Sequence, residues 1–299
     1  MISNKLAYLM LTGSALFWSG NFVIGRAFAT EIAPITISYL RWSLALVVLL
    51  PFTVKSLISQ WPIVRSNLPL LIFMGALGVS GFNTFAYLGL QETTATNALI
   101  INSFIPMLII LLSRIMPGTP IPKNKLGGIL VSTCGVLLLV SQGSLDNLLS
   151  FNINRGDLWI LAAGFTWAIY SISLRWRPAG LSAPTFLLVT MIIGLLILSP
   201  FYWLNLLEEP AFTPSSSNLM VIGYVALFAS LGAFLCWNQG VKIAGANTAG
   251  QFIHLMPLFG TAMAILFLGE RIYWFHMVGA GAIAAGIALS LKKRRGGHF

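Results

Sequence analysis

Long apolar runs separated by short polar links occupy almost the whole chain. Each run is long enough, at about 1.5 Å per helical residue, to cross most or all of a hydrocarbon layer roughly 30 Å thick. The pattern therefore predicts an all-α polytopic membrane protein with ten transmembrane helices. We number the runs as segments 1 to 10: 6–28, 34–54, 68–90, 95–113, 124–141, 157–174, 183–204, 218–240, 247–268 and 273–291.

The apolar pattern occurs twice along the chain. A constant offset aligns residues 79–119 with 230–270 and pairs Pro106 with Pro257, while a slightly shorter offset upstream pairs Trp18 with Trp167. We therefore divide the chain into two repeats, 1–150 and 151–299. Because each repeat has an odd number of helices, the second repeat enters the membrane from the opposite side. The repeats are predicted to be inverted, an architecture that many secondary carriers use.

The basic residues predict the orientation. Short loops rich in Lys and Arg stay in the cytoplasm, and most of the 17 basic residues fall on one side of the predicted membrane. That side includes the N-terminus and the basic C-terminal stretch 292–295. Both termini are therefore predicted to be cytoplasmic.

Composition narrows the class further. Hydrophobic residues make up 57% of the chain and charged residues only 8%, whereas a soluble domain has about 25% charged residues. The net charge of +10 is spread over the predicted cytoplasmic ends, so no nucleic-acid partner is expected. Cys134 and Cys236 lie in apolar segments at non-equivalent positions, and we expect small core residues rather than a disulfide or a metal pair. No metal and no cofactor are expected.

The second repeat carries the most specific motifs. The stretch Trp237–Gly269 contains a Trp-Asn pair and a mid-helix Pro257, and it leads into LFLGE at Leu266–Glu270. This region resembles the second repeat of the EamA-type carriers of the drug/metabolite transporter superfamily, and Phe165–Arg175 is similar to the start of that repeat. The first repeat departs from the pattern, with MPGTP at Met116–Pro120 where the second repeat has FLGER.

Within that family, the chain is most similar to bacterial amino-acid exporters, including those that carry aromatic amino acids. The resemblance implies a multi-pass protein of the bacterial inner membrane whose partners are the lipid bilayer and a small-molecule substrate. It also implies that the chain is not an enzyme.

Polar and aromatic side chains inside the segments are candidate substrate ligands, because lipid offers them no partner. Trp18 and Asn21 share one helical face, as do their counterparts Trp167 and Tyr170. Residues of these types also join neighbouring helices or form interfacial belts, so a purely structural role stays open for each one. We predict a central cavity lined from both repeats by Trp18, Asn21, Asn83, Tyr87, Trp167, Tyr170, Trp237, Asn238 and His254.

Two ionisable side chains within the segments have alternative interpretations. His254 could couple transport to protons or act as an ordinary hydrogen-bonding group. Because no Asp or Glu is expected in mid-membrane, the usual carboxylate relay is missing, and we expect facilitated transport. Arg41 is expected to snorkel to the outer interface. The alternative is that Arg41 binds a backbone carbonyl or a substrate carboxylate.

Prolines and glycines at matched positions are candidate hinges. Pro106 and Pro257 each remove one helical hydrogen bond and either fix a static kink or act as hinges, helped by Gly81 and Gly232. The small residues of segment 10, between Gly279 and Gly286, permit close helix packing within the monomer or between two copies. The chain is therefore expected to be a monomer or a weak homodimer.

The sequence is compatible with three classes of function. The leading hypothesis is a carrier that exports small neutral metabolites, chiefly amino acids. The second is a carrier for a nucleobase, a sugar phosphate or a drug, with or without proton coupling. The third, a membrane-embedded enzyme, needs a titratable cluster near one interface, and the chain has no G-x-S-x-G, P-loop or H-E-x-x-H motif.

Overall fold

The structure, a computed structural model, describes residues 4–28, 32–115, 123–149, 154–208, 214–268 and 271–292. Helices make up nearly all of this part of the chain, and it contains no strand. Nine described stretches are long and apolar enough to cross a membrane. The remaining segment, segment 9, is divided into short pieces. Met116–Pro120 and the last two residues of the LFLGE motif lie outside the described residues.

The helices follow the segments predicted from sequence. In the first repeat they are Asn4–Ala27 (segment 1), Pro34–Ser66 (segment 2), Leu68–Gly75, Ala76–Gly81 and Phe82–Glu92 (segment 3), Ala95–Asn102 and Ile105–Ile115 (segment 4), and Lys123–Val140 (segment 5). A short helix, Leu145–Leu149, lies in the link between the repeats. In the second repeat they are Arg155–Ser173 and Leu174–Trp176 (segment 6), Ala183–Glu208 (segment 7), Ser216–Tyr224, Val225–Gly232 and Ala233–Ala244 (segment 8), Ala246–Ala249, Gly250–His254 and Leu255–Leu268 (segment 9), and Trp274–Leu291 (segment 10).

A reciprocal cap fixes the start of segment 6 against the first repeat. The Asn154 side chain accepts from the backbone amide of Asp157 at 2.9 Å, and the Asp157 carboxylate accepts from the Asn154 amide at 2.9 Å. The same carboxylate accepts from the Thr93 hydroxyl, which follows segment 3. This buried cluster therefore joins the end of segment 3 to the first turn of segment 6.

Both repeats contain a stretch of π-helix at the matched position. These stretches are Ala76–Gly81 in segment 3 and Val225–Gly232 in segment 8. A π-turn widens the helix and disturbs its hydrogen bonds, and π-turns are frequent at functional sites. Ser230 Oγ donates to the carbonyl of Val225 at 2.8 Å, which satisfies one of the displaced backbone groups. The predicted hinge glycines, Gly81 and Gly232, are the last residues of these stretches; their role as hinges stays a prediction.

Packing between the repeats follows a two-fold pattern. Segment 1 packs on segment 8, and its repeat counterpart, segment 6, packs on segment 3. Segments 2 and 7 pack on each other, as do segments 5 and 10 and segments 4 and 9. Each segment of one repeat thus finds its partner in the other repeat, so the interface between the repeats forms the core of the molecule.

Segments 5 and 10 approach most closely through glycines. A Cβ on Gly135 would lie 2.8 Å from the carbonyl oxygen of Gly279, and a Cβ on Gly286 would lie 2.6 Å from the amide nitrogen of Ser132. Only glycine permits this separation of the two backbones. Gly279 and Gly286 of segment 10 therefore serve packing within the monomer.

Replacing Gly286 by alanine should destabilise the protein by about 1–3 kcal/mol, because the added methyl group forces segments 5 and 10 apart. Gly281 lies on the same helix but has open space around it. Gly281→Ala should therefore leave stability unchanged or raise it by about 0.5–1 kcal/mol, the usual gain for alanine over glycine in a helix. Thermal unfolding of both variants in detergent measures the difference. Equal melting temperatures would contradict the packing described.

Candidate substrate site

Three tryptophans form a buried cluster between the repeats. Trp18 comes from segment 1, Trp167 from segment 6 and Trp237 from segment 8. The ring centroids lie 4.9 Å apart for Trp18 and Trp167, 5.5 Å for Trp167 and Trp237, and 5.3 Å for Trp18 and Trp237. Such aromatic pairs contribute about 0.5–1.5 kcal/mol each beyond the area they bury. The cluster therefore holds the first repeat to the second at the centre of the bundle.

A narrow cavity lies beside this cluster, against segments 4 and 9. Its described lining contains no charged side chain and includes two amides, Asn21 and Asn102. The cavity has room for little more than one water molecule, so it is too small to hold a metabolite in this structure. The lining residues are Trp18, Asn21, Phe22, Phe82, Asn102, Ile105, Trp167, Ile253 and Met256.

Arg41 does not snorkel, so that expectation from sequence is wrong. Its side chain is fully buried. Nε donates to Ser230 Oγ at 2.7 Å, and Nη1 donates to Asn83 Oδ1 at 2.9 Å and to the Tyr87 hydroxyl at 2.7 Å. Nη1 also lies 3.3 Å from Asn21 Oδ1. The planar guanidinium can serve several acceptors at once, and this bundle of neutral acceptors replaces the interfacial water to which a snorkelling arginine would extend.

The charge of Arg41 is stabilised by neutral groups. None of its hydrogen-bond partners in the described part of the chain is a carboxylate, and Nη2 has no partner there. The guanidinium carbon lies 5.3 Å from the ring centroid of Trp42 and 5.8 Å from that of Tyr87, within the range of cation–π attraction. Asn21 lines the cavity, and Arg41 contacts Asn21 from the side that faces away from the cavity.

The remaining polar candidates form matched tyrosine–asparagine pairs. In the first repeat the Tyr87 hydroxyl donates to Asn21 Oδ1 at 2.8 Å, and in the second the Tyr170 hydroxyl donates to Asn238 Oδ1 at 2.8 Å. The repeat offset aligns Asn21 with Tyr170 and Tyr87 with Asn238, so the two residue types have exchanged places. The pairs join segment 1 to segment 3 and segment 6 to segment 8. The pairs therefore fix the helices that carry the cavity-lining residues Trp18, Asn21 and Trp167.

His254 makes two hydrogen bonds and is fully buried. Its Nδ1 lies 2.6 Å from Ser132 Oγ, and its Nε2 lies 2.8 Å from the carbonyl oxygen of Ser103. A neutral imidazole with its hydrogen on Nε2 satisfies both contacts when the Ser132 hydroxyl donates to Nδ1. His254 thereby joins segment 9 to segments 4 and 5, which favours the hydrogen-bonding interpretation.

The structure thus divides the predicted site residues into groups. Trp18, Asn21 and Trp167 line the cavity, and Trp237 packs directly behind them. The other five, Asn83, Tyr87, Tyr170, Asn238 and His254, are engaged in the hydrogen bonds described above. Their roles in substrate binding stay predictions.

Asn102 is not among the nine residues predicted from sequence to line the cavity. It is buried, lines the cavity, and has no hydrogen-bond partner for either side-chain atom among the described residues. One signal in the sequence could have identified it: Pro106 stands four residues later, so the Asn102 carbonyl cannot receive the usual helical hydrogen bond. A polar side chain next to such a break in a membrane helix indicates a site.

Arg41→Lys should lower the free energy of unfolding by about 1.5–3 kcal/mol, because one ammonium group cannot reach all the acceptors that the guanidinium serves. Thermal unfolding of the purified protein in detergent measures this loss. The matched control is Arg65→Lys at an exposed helix end, where no change is expected. An unchanged melting temperature for Arg41→Lys would show that the buried network contributes nothing specific to arginine.

The fold and the site define the class of protein. Two repeats of membrane-crossing helices, interrupted helices next to a central cavity, and a two-fold pattern of contacts are characteristic of secondary carriers. A model of the EamA-like transporter family matches the chain twice, at residues 5–141 and 154–292, and the chain therefore belongs to this family. The resemblance to EamA carriers inferred from sequence is confirmed, and the match to 5–141 includes the repeat that lacks the FLGER ending.

Similar proteins extend over nearly the full length of the chain. An uncharacterized transporter of Bacillus subtilis (strain 168), YyaM, is 30% identical over 94% of this chain and 92% of its own length. A probable amino-acid metabolite efflux pump of Salmonella typhimurium (strain LT2) is 23% identical over 97% and 96%. A solved crystal structure aligns with a TM-score of 0.77 over 97% of each chain at 18% identity, which shows a shared fold.

Proposed function

We propose that this transporter exports small neutral metabolites, chiefly amino acids including aromatic ones, across the bacterial inner membrane. The proposal includes ten transmembrane helices in two inverted repeats, 1–150 and 151–299, with both termini in the cytoplasm. It also includes facilitated transport by alternating access in a monomer or weak homodimer.

The observation that carries the proposal is the aromatic cavity between the repeats. The indole rings of Trp18 and Trp167 form its walls, and Asn21 and Asn102 are its polar groups. Aromatic walls favour a cargo with a flat or apolar part, and amides favour a cargo that both donates and accepts hydrogen bonds. The amino-acid assignment is also supported by the name of the Salmonella relative, a probable amino-acid metabolite efflux pump.

Alternating access requires this small cavity to widen and to open to each side of the membrane in turn. Matched π-helical stretches end at Gly81 and Gly232, and matched prolines, Pro106 and Pro257, follow the interruptions of segments 4 and 9. We propose that these four residues are the hinges about which one repeat rocks against the other.

The other cargo classes fit the cavity less well. A sugar phosphate needs several cations in direct reach, and Arg41 lies behind Asn21 and is already hydrogen-bonded. A cationic drug needs an acid, and no acid is part of the described lining. Proton coupling lacks a carboxylate at the cavity, and both nitrogens of His254 are engaged.

Trp167→Phe should raise the KM for L-tryptophan about 3- to 10-fold, because the smaller ring loses contact with the cargo. The assay is counterflow of labelled L-tryptophan into proteoliposomes loaded with unlabelled L-tryptophan. Trp203→Phe is the matched control, since Trp203 is exposed on the outer surface of segment 7 and should leave the KM unchanged. Equal KM values in the two variants would exclude Trp167 from the site.

A pH gradient imposed across these proteoliposomes should not drive L-tryptophan above its equilibrium concentration, because no carboxylate is part of the described lining of the cavity. The measurement is the steady-state ratio of internal to external label with and without the gradient. Accumulation that depends on the gradient and collapses when a protonophore is added would replace the facilitator by a proton-coupled carrier.

A further inference from the structure

Segments 4 and 9 are interrupted at equivalent points beside the cavity. In segment 4 one helix ends at Asn102 and the next begins at Ile105; in segment 9 the tight 3-10 turn Gly250–His254 separates two α-helices. The repeat offset aligns Asn102 with Ile253 and Ser103 with His254. Interrupted helices at membrane depth are tolerated where they line a cavity or are buried in protein, and in secondary carriers they mark the binding site.

Asn102 has an unsatisfied polar side chain at the interruption of segment 4. Only 4% of its surface is exposed, and neither Nδ2 nor Oδ1 has a hydrogen-bond partner in the described part of the chain. The side chain borders the main cavity beside Trp18 and Trp167, and it also borders a smaller crevice with His254 and Pro257. A buried amide without partners is costly, so its presence requires a reason other than stability.

Packing does not supply that reason. The repeat counterpart of Asn102 is Ile253, which lines the same cavity, so the fold accepts an apolar side chain at the equivalent position. Other buried asparagines in the bundle are bonded: Asn21 and Asn238 accept from tyrosine hydroxyls, and Asn83 accepts from Arg41. Asn102 differs from these asparagines because it lines the cavity and neither its donor, Nδ2, nor its acceptor, Oδ1, has a partner among the described residues.

We propose that the amide of Asn102 binds the head group of the cargo. Nδ2 donates to a carboxylate oxygen and Oδ1 accepts from the ammonium group of an α-amino acid, while the cargo side chain packs against Trp18 and Trp167. This assignment rests on the proposed amino-acid cargo. It makes Asn102 a substrate-binding residue and places the head group between segments 4 and 9, where the helices are interrupted.

The test is Asn102→Leu, a change of similar size that removes both polar atoms. The melting temperature of the cargo-free protein should rise by about 2–4 °C, because an unsatisfied buried amide is removed. The KM for L-tryptophan in counterflow should rise at least about 10-fold, since the head group loses its partner. The matched control is Asn124→Leu, because Asn124 Nδ2 donates to the Lys292 carbonyl at 2.9 Å. This variant should melt at a lower temperature and keep the wild-type KM.

Competition by cargo analogues separates head-group binding from a general loss of affinity. Tryptamine lacks the carboxylate, and indole-3-propionate lacks the ammonium group. Each should compete with labelled L-tryptophan at least about 10-fold less well than unlabelled L-tryptophan in the wild type. In Asn102→Leu the three compounds should compete within about threefold of one another.

Two results would overturn the assignment while leaving the proposed cargo intact: Asn102→Leu lowers the melting temperature of the cargo-free protein, or it keeps the wild-type KM and the discrimination among analogues. A folded wild-type protein that transports no amino acid would overturn both the cargo and the head-group assignment. The wild-type protein therefore tests the proposed function, and the Asn102→Leu variant tests only the assignment of the head group to Asn102.

Discussion

A buried guanidinium imposes the strongest constraint on this fold. The Arg41 side chain is fully buried, and none of its hydrogen-bond partners among the described residues is a carboxylate, so its charge is stabilised only if several neutral oxygens converge on it. Those oxygens come from segments 1 and 3 of the first repeat and from Ser230 of the second. The network forms only when all of these helices are packed together. Because Ser230 lies in the π-helical stretch of segment 8, the position of that stretch is coupled to the first repeat. One side of the cavity is consequently braced by a network that no single segment can form.

The two repeats share a backbone pattern but differ in chemistry. The residue that aligns with Arg41 is Thr190, whose hydroxyl donates to the Phe186 carbonyl of its own helix at 3.0 Å. At this position the second repeat therefore has a neutral side chain, and its part of the interface depends on the Tyr170–Asn238 bond and on the tryptophan cluster. Under the proposed alternating access, the repeats exchange roles between the inward-open and outward-open states. The chemical asymmetry then gives the two states different free energies, which identical repeats could not do.

The opposite side of the cavity is formed by segments 4 and 9, whose helices are discontinuous. Segments 4 and 9 are interrupted at equivalent positions, and the amide of Asn102 stays unsatisfied between them. His254 bridges the two segments through the Ser103 carbonyl, and Ser113 Oγ, farther along segment 4, donates to Asn247 Oδ1 of segment 9 at 3.0 Å. Under the proposed rocking motion, these discontinuous helices are the part of the cavity wall that bends, whereas the network around Arg41 holds segments 1, 2, 3 and 8 together.

The sequence by itself determined the segments, the repeat and the family, because hydropathy and residue spacing are read along the chain without reference to neighbours. It also brought Trp18, Asn21 and Trp167 into the set of candidate residues, since the repeat offset revealed matched aromatic positions. Only the tertiary structure decided that Arg41 points into the bundle, that the tyrosine–asparagine pairs bond within each repeat, and that Asn102 faces the cavity. The physical reason is that helical periodicity defines which residues share a face, whereas the rotation of each helix about its axis depends on packing against the others.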